Sequence, residues 1–444
     1  MTDLKTTQKK SLRVCPNQEL NGTVRVPGDK SISHRALILG ALADGLTQVR
    51  GWLPAGDTLA TLQCMRALGV QIDQHDTTTL TVHGVGLDGL EAPTEPLNCV
   101  NAGTAIRLLA GVMAGQRFPS VLDGSYQLRR RPMNRITHPL RLMDAAITDT
   151  DGYAPLYISP SHLRGITYPM PVASAQVKSC LLLAGLFAEG ATTVVEPGPA
   201  RDHTERMLRA MGANIAIQEH QVMIDSTPRL HPLDLTVPAD ASSAAFVLVA
   251  GALYAHTAIR IEGVGVNPTR TGILDALAMM NVHIAQENLR DEGGEPVADL
   301  VVTPALLQGA EIQGDLVVRM IDEFPILMVA ATQAKGRTTV RDAKELRVKE
   351  TDRIAVMAKE LRKLGAKIEE RDDGFSLNGP QLLQGAVVDG HDDHRVAMSL
   401  VIAGLSAQGE TIVEDAGCIR DSFPDFVEVM QSLGAKIEWI DENK

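Results

Sequence analysis

Leu433-Gly434-Ala435-Lys436-Ile437 is the stretch that decides the fold, because it is the last of six variants of one short phrase. Each copy has an apolar residue, a turn-forming residue, Ala or Val, any residue, and Ile. The copies are spaced 68 to 84 residues apart, which predicts one supersecondary unit repeated six times. The earlier copies begin at Leu68, Met143, Met211, Met280 and Leu364.

The second residue of each copy is Gly, Asp or Asn. These residues tolerate the left-handed backbone conformation that ends many helices. We therefore predict that each copy ends an amphipathic helix and begins a strand. With its neighbouring segments, each unit is predicted as strand, buried helix, strand, amphipathic helix, strand, strand. The polar, Gly-rich residues 286–295 are predicted to be a loop.

A polar cluster precedes an apolar run in each unit, and a helix that is apolar all round is a buried helix. Its N-terminus carries unpaired N–H groups and a partial positive charge, so six such termini predict an anion site. Ordinary N-caps are the alternative, since Asp, Ser and Asn cap helices well. Five cations near these termini favour the anion site, because a cap does not need them: Lys30, Arg35, Arg107, Lys178 and Arg395.

Six units divide into two groups of three. The chain is expected to cross between the groups near Pro27 and Pro238, after strand-like segments. We therefore predict an inserted domain of residues 28–237 and a second domain that combines residues 1–27 with 238–444. The active site is expected in the cleft between them, and the two crossings are expected to act as a hinge that closes over ligands.

Composition narrows the ligand class. A net charge of −12 and 3% aromatic residues disfavour a nucleic-acid binder. No apolar run is long enough to span a membrane, and residues 1–11 lack a signal-peptide core. Five scattered cysteines without a CxxC spacing indicate reduced thiols, a cytoplasmic location and no structural zinc. Small anions therefore fit best, held by the cations gathered at the helix termini.

Four local motifs have residue types that could carry chemistry. The segment around Lys30, Ser31 and Arg35 lacks the GxxxxGK[ST] spacing, so we exclude a P-loop and predict an oxyanion or phosphate site at a helix N-terminus. Residues 129–131 are three arginines, with a solvated turn as the alternative. Lys349 and Arg353 would share a face if helical, with a surface salt bridge as the alternative. Residues 391–395 contain metal-ligand types, but the adjacent Arg disfavours a metal.

Eight motifs then occur in order along nearly the whole chain: PGDKSISHRAL, NAGTAIR, RRRPM, SAQVKS, ARDHTERML, LRVKETDRI, DDHRVAMS and SFPDF. Together they resemble the enolpyruvyl transferase family, in particular its branch acting on shikimate 3-phosphate. The resemblance implies an α/β fold of two inside-out barrels, each of three βαβαββ repeats. It also implies transfer of the enolpyruvyl group of phosphoenolpyruvate to the 5-hydroxyl of shikimate 3-phosphate, with release of phosphate. This addition–elimination uses no cofactor and belongs to chorismate and aromatic amino acid biosynthesis.

The resemblance also implies the site residues. Those for the catalytic step are Asp322, Glu350 and Lys30. Those for shikimate 3-phosphate are Lys30, Ser31, Arg35, Ser174, Ala175, Gln176, Arg201, Asp322 and Lys349. Those for phosphoenolpyruvate are Lys30, Gly103, Arg131, Gln176, Arg353 and Arg395. Arginine forks suit the two phosphates and the carboxylate, and a Lys with two carboxylates can supply the acid and the base.

Two positions depart from the family pattern and leave questions open. Ala175 stands where many members have a second Ser, and Asp421 where many have a Lys, so Arg420 could replace that contact. Ala175 is typical of the glyphosate-tolerant branch, whereas the small Gly103 leaves room for that inhibitor. Tolerance therefore stays open.

Three other functions remain as alternatives. A UDP-N-acetylglucosamine enolpyruvyl transferase would carry a reactive Cys within residues 110–131, and none is present. An RNA 3′-phosphate cyclase would need a basic face. A non-catalytic anion-binding scaffold would have lost Asp322, Lys349 or Glu350, yet all three are present. We expect a monomer whose partners are the two small substrates.

Overall fold

The computed structural model describes residues 10–16, 19–226 and 229–440, which form 24 strands and 14 α-helices. The strands are β1 Ser11–Val14, β2 Leu20–Val24, β3 Asp44–Arg50, β4 Ile72–Gln74, β5 Leu80–Val85, β6 Leu97–Asn98, β7 Ser120–Asp123, β8 Ala146–Thr150, β9 Tyr153–Ser159, β10 Thr167–Pro169, β11 Thr192–Val195, β12 Ile215–Gln218, β13 Gln221–Ile224, β14 Asp234–Thr236, β15 Ala255–Gly265, β16 Ile284–Glu292, β17 Glu295–Val302, β18 Glu311–Ile312, β19 Gly336–Val340, β20 Ile368–Arg371, β21 Gly374–Gly379, β22 Val387–Asp389, β23 Thr411–Glu414 and β24 Ile437–Ile440. The helices are α1 Lys30–Leu42, α2 Gly56–Ala67, α3 Gly103–Ala114, α4 Tyr126–Arg129, α5 Asn134–Leu142, α6 Ala175–Gly185, α7 His203–Ala210, α8 Ala241–Tyr254, α9 Gly272–Met279, α10 Asp315–Arg319, α11 Phe324–Gln333, α12 Arg353–Lys363, α13 His394–Gly404 and α14 Phe426–Ser432.

The strands form six four-stranded sheets, one for each predicted unit. Every sheet has one parallel pair followed by two antiparallel pairs. The strand orders are β14-β3-β5-β4, β6-β7-β9-β8, β10-β11-β13-β12, β2-β15-β17-β16, β18-β19-β21-β20 and β22-β23-β1-β24.

The repeated phrase lies where we predicted, between a helix and a strand in all six units. Its turn residue has a positive φ in every copy, as the left-handed end of a helix requires. The φ values are +85° at Gly69, +64° at Asp144, +83° at Gly212, +68° at Asn281, +90° at Gly365 and +102° at Gly434.

Six nearly all-apolar helices lie inside two separate clusters of buried residues. One cluster is built from residues between 32 and 237 around α1, α3 and α6. The other combines residues 12–26 with 239–437 around α8, α11 and α13. These clusters support the predicted domain boundaries, which remain a prediction; residues 1–9 of that scheme lie outside the described residues. We refer below to the two sets as the first and second halves.

Two strands explain how the chain passes between the halves. Strand β2 leads into α1 but pairs with β15, and β14 leads into α8 but pairs with β3. The two crossings lie side by side: Asp29 N donates to Pro238 O at 2.8 Å, and Asp240 N donates to Pro27 O at 2.8 Å. The chain therefore crosses twice at one place.

The loop predicted at residues 286–295 is wrong. These residues belong to the β16–β17 hairpin, whose turn is at Gly293 and Gly294. Most of β16 is exposed, so its sequence has no apolar alternation to reveal a strand. Across the ranges that the structure covers, no helix combines the length and apolar character needed to cross a membrane.

Candidate active site

All fourteen predicted site residues line one cleft between the halves, with about 1420 Å³ of space not filled by atoms. The first half contributes α1 (Lys30, Ser31, Arg35), the start of α3 (Gly103) and the segment after α4 (Arg131). It also contributes the first turn of α6 with its cap (Ser174, Ala175, Gln176) and the segment before α7 (Arg201). From the second half come the segments before α11 (Asp322) and α12 (Lys349, Glu350), and the starts of α12 (Arg353) and α13 (Arg395).

Positive charge dominates the cleft. Ten Lys and Arg side chains line it against six carboxylates, in a chain whose net charge is −12. Such a concentration of one sign in a concave, partly buried site attracts ions of the other sign.

Helix starts face this cleft, and those of α1, α6, α8 and α13 are capped by a polar side chain. Asp29 accepts a hydrogen bond from Ile32 N at 2.9 Å and caps α1, while Asp240, Asp393 and Ser174 cap α8, α13 and α6. Lys30, Arg35 and Arg395 lie on capped helices that line the cleft, whereas Arg107 lies on α3, whose start has no side-chain cap. The capped N-terminal turns therefore lie next to an anion-attracting cleft.

Asp322 forms ion pairs with cations from both halves. Its Oδ2 lies 2.5 Å from Arg201 Nη2, and its Oδ1 lies 3.3 Å from Lys349 Nζ and 3.4 Å from Arg353 Nη1. Burial alone would raise its pKa, but the surrounding cations, Lys349 first, hold the pKa well below the ordinary value. Asp322 is therefore ionised at neutral pH.

Glu350 is held in the same way. It pairs with Arg131 at 3.2 Å and with Arg353 at 2.8 Å. Burial opposes its ionisation, yet Arg131 and Arg353 lower its pKa well below the ordinary value. Burial instead lowers the pKa of the neighbouring Lys349, which makes Lys349 a readier proton donor than an exposed lysine.

Arg353 is not on a helix face shared with Lys349, so that part of the prediction is wrong. A 3₁₀ turn ends at Val348, and α12 begins only at Arg353. The Arg353 side chain is 1% exposed and pairs with Asp393 at 2.9 Å. This burial excludes the surface salt bridge as an explanation of the motif.

The three consecutive arginines point to different partners. Arg129 donates to Asp123 at 2.8 Å, and Arg130 lies 5.5 Å from the centre of the Tyr126 ring. Only Arg131 reaches the cleft. A solvated basic turn therefore describes the first two, and a site residue describes the third.

Of two other predicted anion-binding cations, Arg35 lines the cleft and Lys178 does not. Arg35 lines the cleft but is buried, and it donates to Ser31 O at 2.9 Å, Thr204 Oγ1 at 2.7 Å and Ser179 Oγ at 2.7 Å. Lys178 lies outside the cleft, which corrects its place among the anion-binding cations. It is sequestered between Glu196 and Glu205, because a buried ammonium needs compensating charge.

The structure locates Ala175 and Asp421, the two residues that depart from the family pattern. Ala175 is the first residue of α6 and lines the cleft. Arg420 is exposed and lies 5.6 Å from the centre of the Trp439 ring, so it does not replace the missing Lys contact. Asp421 packs against Gly56, and burial and the nearby Asp57 raise its pKa to about 7.

Several cleft residues lacked any local signal in the sequence. Asp57 pairs with Lys30 at 3.0 Å, and Arg135 pairs with Glu345 across the cleft at 3.0 Å. Gln176 accepts from Arg107 at 2.5 Å, so Arg107 holds a predicted site residue in place. Arg107 and His394 belong to motifs quoted above, whereas Asp57, Arg135 and Glu345 do not, because long-range pairs leave no spacing to recognise.

A metal site is not supported. In the ranges 10–16, 19–226 and 229–440, no three His, Cys, Asp or Glu side chains are grouped closely enough to hold a metal ion. His391 instead pairs with Glu360 at 2.9 Å. Burial and the charges of Lys30 and Arg395 lower the pKa of His394 well below the ordinary value.

Comparison with known proteins agrees with this geometry. A family model described as EPSP synthase (3-phosphoshikimate 1-carboxyvinyltransferase) matches residues 14–430. The 3-phosphoshikimate 1-carboxyvinyltransferase of Acidithiobacillus ferrooxidans is 52% identical over 425 residues, covering 96% of this chain and 98% of that one. That of Citrifermentans bemidjiense is 51% identical over 422 residues, covering 95% and 98%.

Solved structures give the same result. The EPSP synthase of Acinetobacter baumannii has a TM-score of 0.87 at 42% identity and covers 97% of this chain and 100% of that one. The enolpyruvyl transferase NikO of Streptomyces tendae, at 21% identity, shares the fold with a TM-score of 0.80 over 98% of this chain and 99% of that one. The predicted two-barrel α/β fold is thus confirmed, and the chain belongs to the EPSP synthase (3-phosphoshikimate 1-carboxyvinyltransferase) family.

Proposed function

We infer that this protein transfers the enolpyruvyl group of phosphoenolpyruvate to the 5-hydroxyl of shikimate 3-phosphate and releases phosphate. The observation that carries this is the position of Asp322, an ionised carboxylate surrounded by cations from both halves in a positively charged cleft. The enzyme is a transferase of the shikimate pathway and serves aromatic amino acid biosynthesis.

The anionic groups of the substrates suit different parts of the cleft. Lys30, Ser31, Ser174 and Arg201 offer a cation, two hydroxyls and a fork for the phosphate and ring of shikimate 3-phosphate. Arg131, Arg353 and Arg395 offer forks for phosphoenolpyruvate, with Gly103 leaving space beside Arg131. Such charge-assisted bonds are about twice as strong as neutral ones. Arg35 acts through Ser31 O and Ser179 in this proposal.

Charge neutralisation prepares Asp322 for its role as a base. In the structure burial opposes ionisation of Asp322, but the surrounding cations hold its pKa well below the ordinary value, so the carboxylate is a weak base. Bound phosphates and a carboxylate offset those cations and raise the pKa of Asp322 towards a useful range. Asp322 then takes the proton of the attacking 5-hydroxyl, whose oxygen bonds to C2 of phosphoenolpyruvate.

The methylene carbon of phosphoenolpyruvate gains a proton in the addition step and loses one in the elimination step. We assign these proton transfers to Lys349 and Glu350, and the lowered pKa of Lys349 supports its role as the donor. When the carbon gives its proton back, the C2–O bond to phosphate breaks and phosphate leaves. Lys30 is positioned by Asp57 to balance charge on the departing phosphate.

The domain division at 28–237 and 1–27 plus 238–444 is part of this proposal, since each half brings residues that the other lacks. A monomer is sufficient because one chain supplies both sides of the cleft. A cytoplasmic location is supported by five free cysteines. The nucleic-acid and scaffold alternatives find no specific observation in their favour.

Phosphate release with phosphoenolpyruvate and each acceptor tests the function. We expect release with shikimate 3-phosphate and none above background with UDP-N-acetylglucosamine. Omitting either substrate is the control for hydrolysis. Release only with the nucleotide sugar would contradict the proposal, and saturable binding of both shikimate-pathway ligands without release would favour the non-catalytic scaffold.

A further inference from the structure

Residues 267–270, which we name the clasp loop, lie between β15 and α9 in the second half. Two polar side chains of this loop, Asn267 and Arg270, are only 1% and 2% exposed. Loops usually lie at the surface, where their polar groups are solvated. The partners of these two side chains therefore decide what the loop does.

Arg270 joins the starts of two helices from different halves. Its Nη2 lies 3.1 Å from Asp29 Oδ2 and 2.7 Å from Asp240 Oδ1. Asp29 caps α1, and Asp240 caps α8 while also accepting from Lys30 N at 3.1 Å. One cation thus holds the first turn of α1, which carries Lys30 and Ser31, against the second half.

The three side chains of this contact are at most 5% exposed. Charges buried to this extent are well defined in position, because each has lost its water and depends on its partner. The remaining nitrogens of Arg270, Nε and Nη1, find no hydrogen-bond partner among the described residues. The bridge therefore depends on a single nitrogen shared by two carboxylates.

Asn267 attaches a second segment of the first half. Its Nδ2 donates to Asp202 Oδ1 at 2.6 Å and to Glu295 Oε2 at 2.9 Å. The other oxygen of Glu295 lies 2.8 Å from His203 Nδ1. Asp202 and His203 directly follow Arg201, so the loop holds the segment that presents Arg201 to the cleft.

We propose that Arg270, helped by Asn267, is a positioning residue that sets Lys30 and Arg201 of the first half against Asp322 of the second. The inference rests on the proposed function, because its consequence is the alignment of the two substrates. Lys30 and Arg201 are each next in sequence to a residue that the clasp loop holds, Asp29 and Asp202 respectively. A displacement of about 1 Å at reacting groups can cost about a hundredfold in rate.

Arg270→Gln removes the charge and keeps a polar side chain. We expect kcat/KM for shikimate 3-phosphate, per folded enzyme, to fall by at least about tenfold, with kcat falling as well. Arg270→Lys should recover much of the loss, since one ammonium can still lie between two carboxylates. Arg260→Gln is the matched control, because Arg260 also pairs with two acids, Glu287 and Asp299, but does so outside the cleft.

Asp29→Asn provides a second route if Arg270→Gln does not fold. Asn caps helices about as well as Asp, and Arg270 keeps Asp240. We expect Asp29→Asn to lower kcat/KM for shikimate 3-phosphate, as Arg270→Gln does. Because both substitutions break the same contact, the double variant should lose no more kcat/KM than the more impaired single variant. A purely structural role would lower the melting temperature and leave kcat and both KM values at wild-type levels in the folded variants, which would overturn the proposal. Absence of turnover in the wild type would instead contradict the proposed function.

Discussion

Asp322 shows how far one side chain depends on partners that are distant in sequence. Its three cations come from residues 201, 349 and 353, and the sequence placed only the last two near one another. The residue type and its motif were predictable, because a local pattern marked them. Its ionisation was not, because that depends on burial and on charges gathered by the fold.

Asp322→Asn and Glu350→Gln test the acid–base roles. Asn and Gln keep the size of the side chains but cannot take up the proton, so we expect turnover to fall by about 10²–10⁴-fold. A helix-capping role for Asp322 is already disfavoured, since the capping position of α11 is Glu323. Turnover at saturating substrates is measured beside thermal melts, with the exposed Asp275→Asn as the control. Wild-type turnover in either folded variant would remove that residue from the mechanism.

Gly103→Ala tests the space beside Arg131. A Cβ at residue 103 would lie 2.6 Å from Arg131 Nη1 and 2.7 Å from its Cζ, so the guanidinium must move. Displacing one charged hydrogen-bonding group costs about 1.5–3 kcal/mol, which we expect as a rise in KM for phosphoenolpyruvate of about ten- to a hundredfold. Gly417→Ala is the control, since its Cβ would be 3.9 Å from its nearest neighbour. An unchanged KM would show that Arg131 does not bind this substrate.

At the scale of helices and strands, the sequence predicted element boundaries best where a single residue type is needed for a particular backbone φ. The six turn residues with positive φ are the clearest case, because Gly, Asp and Asn are the types that adopt it. The β16–β17 hairpin was missed because its exposed strand has no apolar side to form a pattern. The pairs Lys30–Asp57 and Arg135–Glu345 were missed because they join separate elements.

Two capped helices of the second half allow a matched prediction on stability. Asp352 caps α12 and pairs with a partly exposed Arg347, so Asp352→Ala should lower the free energy of unfolding by about 1 kcal/mol. Asp393 caps α13 and also holds the buried Arg353, so Asp393→Ala should cost about 3–5 kcal/mol. Denaturant unfolding of both variants measures the difference. Equal losses would mean that the Asp393–Arg353 pair adds nothing beyond the cap.

At the scale of the whole molecule, the cleft is spanned by ion pairs between the halves, among them Arg201–Asp322 and Arg131–Glu350. We predict that the substrates drive closure about the crossings near Pro27 and Pro238, because bound polyanions offset the excess of cations that line both sides of the cleft. Small-angle scattering should give a smaller radius of gyration with both ligands than without. Arg260→Gln should respond like the wild type, and an unchanged radius at saturation would contradict closure.

Asp421 gives the stability of the folded chain a dependence on pH. Burial raises its pKa to about 7, so between about pH 4 and pH 7 the folded protein holds a proton that the unfolded chain has lost. Stability from this group is therefore lost as the pH rises through that window. Asp421→Asn should match the wild type in unfolding free energy near pH 4 and exceed it at pH 8. Equal values at both pH values would mean that the carboxyl titrates normally in the folded state.

The position of β1 has a consequence for biosynthesis. Strand β1, at residues 11–14, lies between β23 and β24, which end at residues 414 and 440. Folding during synthesis proceeds as segments leave the ribosome, at about 5–20 residues per second. All twelve strands of the first half, β3 to β14, can pair before the ribosome has made β15, while β1 and β2 wait. The earliest strand to be made is thus among the last to be paired, and the final sheet can close only when translation is nearly complete.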